Sequence, residues 1–222
     1  MASPAPVAKK ARVEPPTHKA FDLDSFPTVD MELEEMVVKD DTKYIYFKVK
    51  LPEDMTPAFK FKEEFCISPF PISEDRGLMN KVTGDTVKVD ISIEAAGNLK
   101  AFFEAIDDAL KDMVAEKGGN YDSMLRKKSE DRTPLVKLTI TPQTTFKAKV
   151  DGELKEYKGV KGSRDLDLEG AGIKFTAKFD KIWIAKSGKK AGVNITLIEA
   201  GVRMGMREKK AIVESAIDED DL

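Results

Sequence analysis

Residues 43–51, Lys43-Tyr44-Ile45-Tyr46-Phe47-Lys48-Val49-Lys50-Leu51, alternate apolar and polar along almost their whole length. Side chains on a strand point to opposite faces with a period of two. One face therefore carries Ile45, Phe47, Val49 and Leu51 and reads as core. The other carries Tyr44, Tyr46, Lys48 and Lys50. Two rings and two ammonium groups on one solvent face suit a single-stranded nucleic acid, because bases stack on aromatics and phosphates pair with cations. The plainer reading is tyrosine as a good strand former beside lysines that guard a sheet edge. The rest of the chain weighs between the two.

Downstream, the same division recurs. In 145–150, Lys147 and Lys149 share a face opposite Phe146, Ala148 and Val150. In 173–179, Lys174 and Lys178 oppose Ile173, Phe175, Ala177 and Phe179. In 181–186, Lys181 and Trp183, the chain's one tryptophan, oppose Ile182 and Ile184. Lys60 lies among Phe59, Phe61 and Phe65 just after Pro52 ends the first strand. If these faces converge, they form a basic groove with aromatic platforms that tracks a nucleic-acid backbone with little regard to sequence. A solvated face is the alternative for each strand taken singly, and a buried role is the alternative for Trp183.

Val87, Val89, Ile91 and Ile93 alternate as a further strand, and Leu135–Thr141 reads as another. Asp151-Gly152 signals a tight hairpin into 153–158. Residues 181–186 and 193–201 read as a hairpin pair joined by Ser187-Gly188-Lys189-Lys190, and glycines at 159, 162, 170 and 172 punctuate a variable connection. The one long helix is expected over about 98–117. Leu99, Phe102, Phe103, Ile106, Leu110, Met113 and Val114 form a single apolar stripe. Asn98 is its expected cap and Gly118-Gly119 its stop. Residues 30–41 are acidic and read as a helical turn or an edge strand.

The chain is mainly β: seven or eight short strands with a helix inserted midway. That order fits an OB-fold-like five-stranded Greek-key barrel. The expected organisation is a disordered leader over 1–28, the barrel domain over 29–206 and an acidic tail over 207–222. Apolar residues make up 41% and charged residues 35% of 222 positions, as in a globular protein with disordered flanks. Apolar runs fall far short of the roughly 18 residues of a membrane span. Met1-Ala-Ser-Pro-Ala-Pro6 lacks the apolar segment of a secretory signal. Cys66, the lone cysteine, forms no internal disulfide and reads as a small core residue.

Catalytic chemistry is sparse. His18 is the only histidine and lies in the leader, which excludes Ser-His-Asp and Cys-His machinery and the usual Cys/His zinc sites. The phosphate-binding Gly-rich loop is absent. Asp165, Asp167 and Glu169 would share a face if they lay on a strand and could then hold Mg²⁺, but a solvated loop beside glycines is the favoured reading. Glu153-Leu154-Lys155 has the Glu-x-Lys spacing of metal-dependent nucleases, yet it sits at a hairpin turn. No cofactor or metal is expected.

The net charge of −3 hides an asymmetry. Residues 135–210 hold 17 Lys+Arg against 9 Asp+Glu, leaving 20 against 31 elsewhere. The chain ends Asp218-Glu219-Asp220-Asp221-Leu222. Near the start, Lys9, Lys10 and Arg12 lie close to prolines and read as a nuclear import signal. The expected setting is intracellular, in a nucleus or at a viral replication site.

The element order, the basic strand faces and the acidic end resemble the phage T7-type single-stranded-DNA-binding proteins and related proteins of large DNA viruses. The resemblance covers roughly residues 43–222 and rests on architecture and charge layout. It implies an OB-fold that coats exposed strands during replication, recombination or repair without enzymatic activity. It places Tyr44, Tyr46, Lys48, Lys50 and Trp183 in the groove. Asp218–Asp221 match the family's tail, which serves replication or recombination partners, whereas Leu222 stands where the phage proteins end on an aromatic. DNA is favoured over RNA, and self-association is left open. A structural or interaction β-sandwich protein is the runner-up, and a metal-dependent nuclease comes third.

Overall fold

The computed structural model describes residues 20–36, 44–51, 56–79, 86–127 and 129–206. Lys9, Lys10 and Arg12, and the tail Asp218, Glu219, Asp220, Asp221 and Leu222, lie outside the described residues. The described residues are mainly β, with eleven strands in one large mixed sheet and two α-helices among them.

Two long antiparallel strands dominate, β10 (Gly172–Ala185) and β11 (Ala191–Arg203). Each is bordered by two shorter strands. Residues 172–178 of β10 pair with β4 (Ala58–Ile67), and residues 182–185 pair with β3 (Tyr44–Lys50). On the other side, Thr196 of β11 bridges β7 (Leu135–Ile140), and residues 199–202 run parallel to β8 (Thr145–Val150). Outward from these lie β1 (Phe21–Asp22) on β4, β2 (Glu32–Met36) on β3 and β6 (Thr86–Glu94) on β7. Finally β5 (Ser73–Met79) lies on β6, and β9 (Glu153–Lys158) on β8.

The pairing path β1-β4-β10-β11-β7-β6-β5 does not close among the described residues, so the expected sealed barrel gives way to an open sheet. The two strands read separately at 173–179 and 181–186 are one. Register shifts at Thr176/Ala177 and Phe179/Lys181 mark bulges, which bend a strand and re-aim its side chains without ending it. Sequence alternation breaks at a bulge, and so looks like a strand boundary.

Helix α1 (Gly97–Glu116) buries Leu99, Phe102, Phe103, Ile106, Leu110 and Val114, the expected stripe at spacings of three and four. Its start differs by a residue or two: Ala96 is the N-cap and makes no side-chain cap hydrogen bond, so Asn98 lies inside the first turn. The stripe meets an aromatic core in which Phe59 lies 4.9 Å from Phe102 and 5.1 Å from Phe179, ring centroid to centroid. Such pairs add about 0.5–1.5 kcal/mol beyond area burial. Phe26 joins this core at 5.5 Å from Phe102 and is buried. Residues 20–28, read with the disordered leader, are therefore part of the fold. Their signal is only two phenylalanines, Phe21 and Phe26, among prolines and acids.

A second helix, α2 (Gly159–Asp165), occupies the glycine-rich connection. Gly159 starts it at φ +63° against Pro142, where a Cβ would lie 3.1 Å from that residue's backbone. Asp165 ends α2, and Asp167 follows at φ +42°. The carboxylates Asp165, Asp167 and Glu169 therefore share no strand face. Asp151 and Gly152 both have positive φ, as the expected hairpin turn requires. Cys66 is buried, and burial with Glu64 and Glu94 nearby pushes its thiol up to about 12.

Candidate nucleic-acid interface

The opening strand alternates as its sequence indicates. Phe47, Val49 and Leu51 are buried, and Tyr44, Lys48 and Lys50 are exposed. Ile45 departs from the core assignment at 37% exposed. It sits near the start of β3, opposite the buried Ile184.

Antiparallel pairing sets Trp183 opposite Tyr46 and Ala185 opposite Tyr44. The rings consequently form one group: Tyr44 lies 6.2 Å from Tyr46 and 5.8 Å from Trp183, the latter edge to face. The Lys181 ammonium stands 4.3 Å above the Tyr46 ring, a cation–π geometry worth about 0.5–1 kcal/mol at an exposed site. Four side chains that the sequence separates by some 140 positions thus share one outer surface. The half-buried indole lies on Gly192, where a Cβ would come within 2.8 Å of Cζ2.

Lys48, Lys50 and Lys178 line an adjoining groove of about 460 Å³ at the fork where β10 exchanges β3 for β4. Acids share it. Glu34 lies across from Lys48, Glu32 across from Lys50, and Asp180 sits beside Lys178. The Lys50–Glu32 pair is long, at 4.0 Å.

Other candidate lysines are engaged elsewhere. Lys60 pairs with Asp22 at 3.3 Å on the edge toward β1. Lys174 donates to the carbonyls of Lys62 and Glu63 at 2.7 and 3.0 Å, and lies 4.9 Å from the Phe65 ring. It thereby ties down the bulge in β4, where Phe61 and Cys66 are five positions apart but their partners Phe175 and Ile173 only two. Lys147 bonds Glu199 at 2.7 Å, and that carboxylate holds its ammonium above the usual lysine range. Lys149 is exposed on β8, beyond β11. The grouping on this surface takes in Tyr44, Tyr46, Lys181 and Trp183, with Lys48, Lys50 and Lys178 alongside. It does not extend to Lys60, Lys147, Lys149 or Lys174.

Sequence reasoning missed a cleft on the other side of Trp183. β7 and β11 meet at the single pair Thr196–Thr139. Residues 121 and 126 bridge to Ala191 and Leu135 and wall the space between the two strands. The resulting cleft, about 420 Å³, is lined by Trp183, Gly192, Asn194, Arg126, Lys137 and Asp90 among others. Asp90 accepts from Lys137 at 2.7 Å and from Thr139 at 3.1 Å. Asn194 lies opposite Lys181 in the β10–β11 ladder. The wall is anchored by Asp107 of α1, which accepts from Tyr121 Oη at 2.8 Å, Ser123 Oγ at 2.5 Å and the Met124 amide at 3.1 Å. Burial, with the Asp107 charge, pushes the Tyr121 phenol up.

No group of three or more His, Cys, Asp or Glu side chains that could hold a metal ion occurs among the described residues, and no helix among them is long and apolar enough to cross a membrane. No protein-family model matches the chain, and no curated protein matches its sequence.

Proposed function

We propose that this protein binds single-stranded DNA along the outer face of β3 and β10. The observation that carries this reading is the Tyr44–Tyr46–Lys181–Trp183 group: three aromatic side chains and an ammonium joined by successive contacts of 4.3–6.2 Å on a solvent-facing surface. Bases stack on Tyr44 and Tyr46, Lys181 pairs with backbone phosphate, and Lys48, Lys50 and Lys178 extend the cationic track. The element order, with α1 between an early and a late set of strands, supports kinship with OB-type strand-coating proteins of replication, recombination and repair. In this reading Asp218–Asp221 compete for the same cations or engage partner proteins.

A second reading, a non-enzymatic interaction protein, draws on Met36, opposite Tyr46 and 42% exposed, and on Ile45, 37% exposed on the other face of β3. One titration separates the two. Trp183 is the only tryptophan, so its emission reports on the surface directly. Addition of an oligothymidylate at low salt should quench it, with affinity falling steeply as salt rises. Tyr44→Ala should weaken binding by about 1–3 kcal/mol, the worth of one stacked base. No binding at low salt would leave the interaction protein as the better account.

A further inference from the structure

We propose that the cleft between β7 and β11 receives one nucleotide of the bound strand and reads its base, giving a surface that otherwise ignores sequence a base preference. The inference rests on the strand-binding reading and adds to it a specificity-determining subsite.

Position comes first. Trp183 is a shared wall: it meets Tyr44 edge to face at 5.8 Å, and it also lines the cleft across Gly192. A strand stacked along Tyr46 and Tyr44 therefore meets the cleft mouth within one side chain's width. Size comes second. About 420 Å³ is room for a base with its sugar, within the ordinary range of roughly 300–1,000 Å³ for ligand pockets.

Chemistry comes third. The stacking platform offers ring faces and charge, which every base satisfies alike. The cleft offers directional groups. The Asn194 side chain carries both a donor and an acceptor and has no hydrogen-bond partner among the described residues. An amide of this kind can pair two-fold with a base edge, a contact that distinguishes bases. Arg126 is exposed at the cleft wall, with no acidic partner among the described residues, and suits a phosphate. Lys137 is occupied by Asp90 and holds the far wall in place.

The test compares fluorescence-labelled 15-mers of dA, dC and dT by anisotropy at low salt, on the full chain and on Asn194→Ala and Arg126→Ala. Far-ultraviolet circular dichroism checks that both variants are folded. The intact chain should separate its best and worst 15-mers by about tenfold, the scale of one good base contact. Asn194→Ala should collapse that spread to within about twofold by weakening the preferred 15-mer. Arg126→Ala should weaken all three together and lower the salt slope by about one. If the intact chain binds all three equally, the cleft reads no base and the inference falls while the strand-binding surface stands. A spread that survives Asn194→Ala also overturns the inference. Failure to bind any of the three overturns the surface and the subsite together.

Discussion

At the scale of single residues, Gly192 decides how the tryptophan is presented. Because a Cβ there would lie 2.8 Å from the indole, Gly192→Ala forces the ring to swing outward. The ring is half-buried at a surface, so the stability cost should stay under about 1 kcal/mol, below that of overpacking a core. Oligothymidylate affinity should nevertheless fall several-fold, and the Trp183 emission maximum should move to the red. Unchanged affinity despite a red-shifted emission would show that the ring position is irrelevant to binding. The aromatic members of this group were legible in the sequence, because period-two alternation assigns a face to each. The fate of the lysines was not. Lys174 and Lys147 have the same alternation as Lys181, yet one serves backbone carbonyls and the other Glu199. Those partners come from distant strands, about which local spacing is silent.

At the scale of elements, α1 holds the cleft wall through Asp107. Asp107→Ala strips an acceptor from three donors and should cost about 2–4 kcal/mol, given typical net values for hydrogen bonds to a charged group, read as a lower urea midpoint. Tyr121 adds an alkaline limit. Its ordinary phenol value is 10.0 and its folded value is higher, through burial first and Asp107 second. The unfolded chain therefore ionises this phenol at a pH where the folded chain retains the proton. Stability is full below pH 10 and should fall as pH rises beyond it, with Tyr121→Phe showing a shallower decline. The helix stripe, the Asp151-Gly152 hairpin and most strands were legible from periodicity and turn chemistry. The second helix and the union of two strands into β10 were not, because a short glycine-bearing helix lacks a stripe and a bulge interrupts alternation. The cleft was equally hidden, since it exists only where β7 and β11 part.

At the scale of the whole molecule, the charge asymmetry seen along the chain is tempered in space. Glu32 and Glu34 on β2 lie directly across from Lys50 and Lys48, so the track beside the rings is partly neutralised. Glu34→Gln should tighten oligothymidylate binding about two- to fivefold at low salt, with the gain vanishing near 1 M, where screening reaches about 3 Å. Glu199→Gln frees Lys147 on the far side of β11 and should leave affinity within about twofold of the parent. Equal gains from both would spread the binding path across the whole sheet. The open sheet leaves β1, β2, β5 and β9 as edges among the described residues, and β9 carries four of its six residues as lysine or glutamate at 153, 155, 156 and 158, a charge pattern that discourages edge-to-edge pairing. The shared ribbon of β10 and β11 has one more consequence. The β3–β2 and β7–β6–β5 half and the β4–β1 and β8–β9 half both hang on it, so loss of the ribbon releases both. Amide protons of Phe175–Ile184 should exchange with solvent only through global opening, at one common free energy, and denaturation should pass through a single concerted transition.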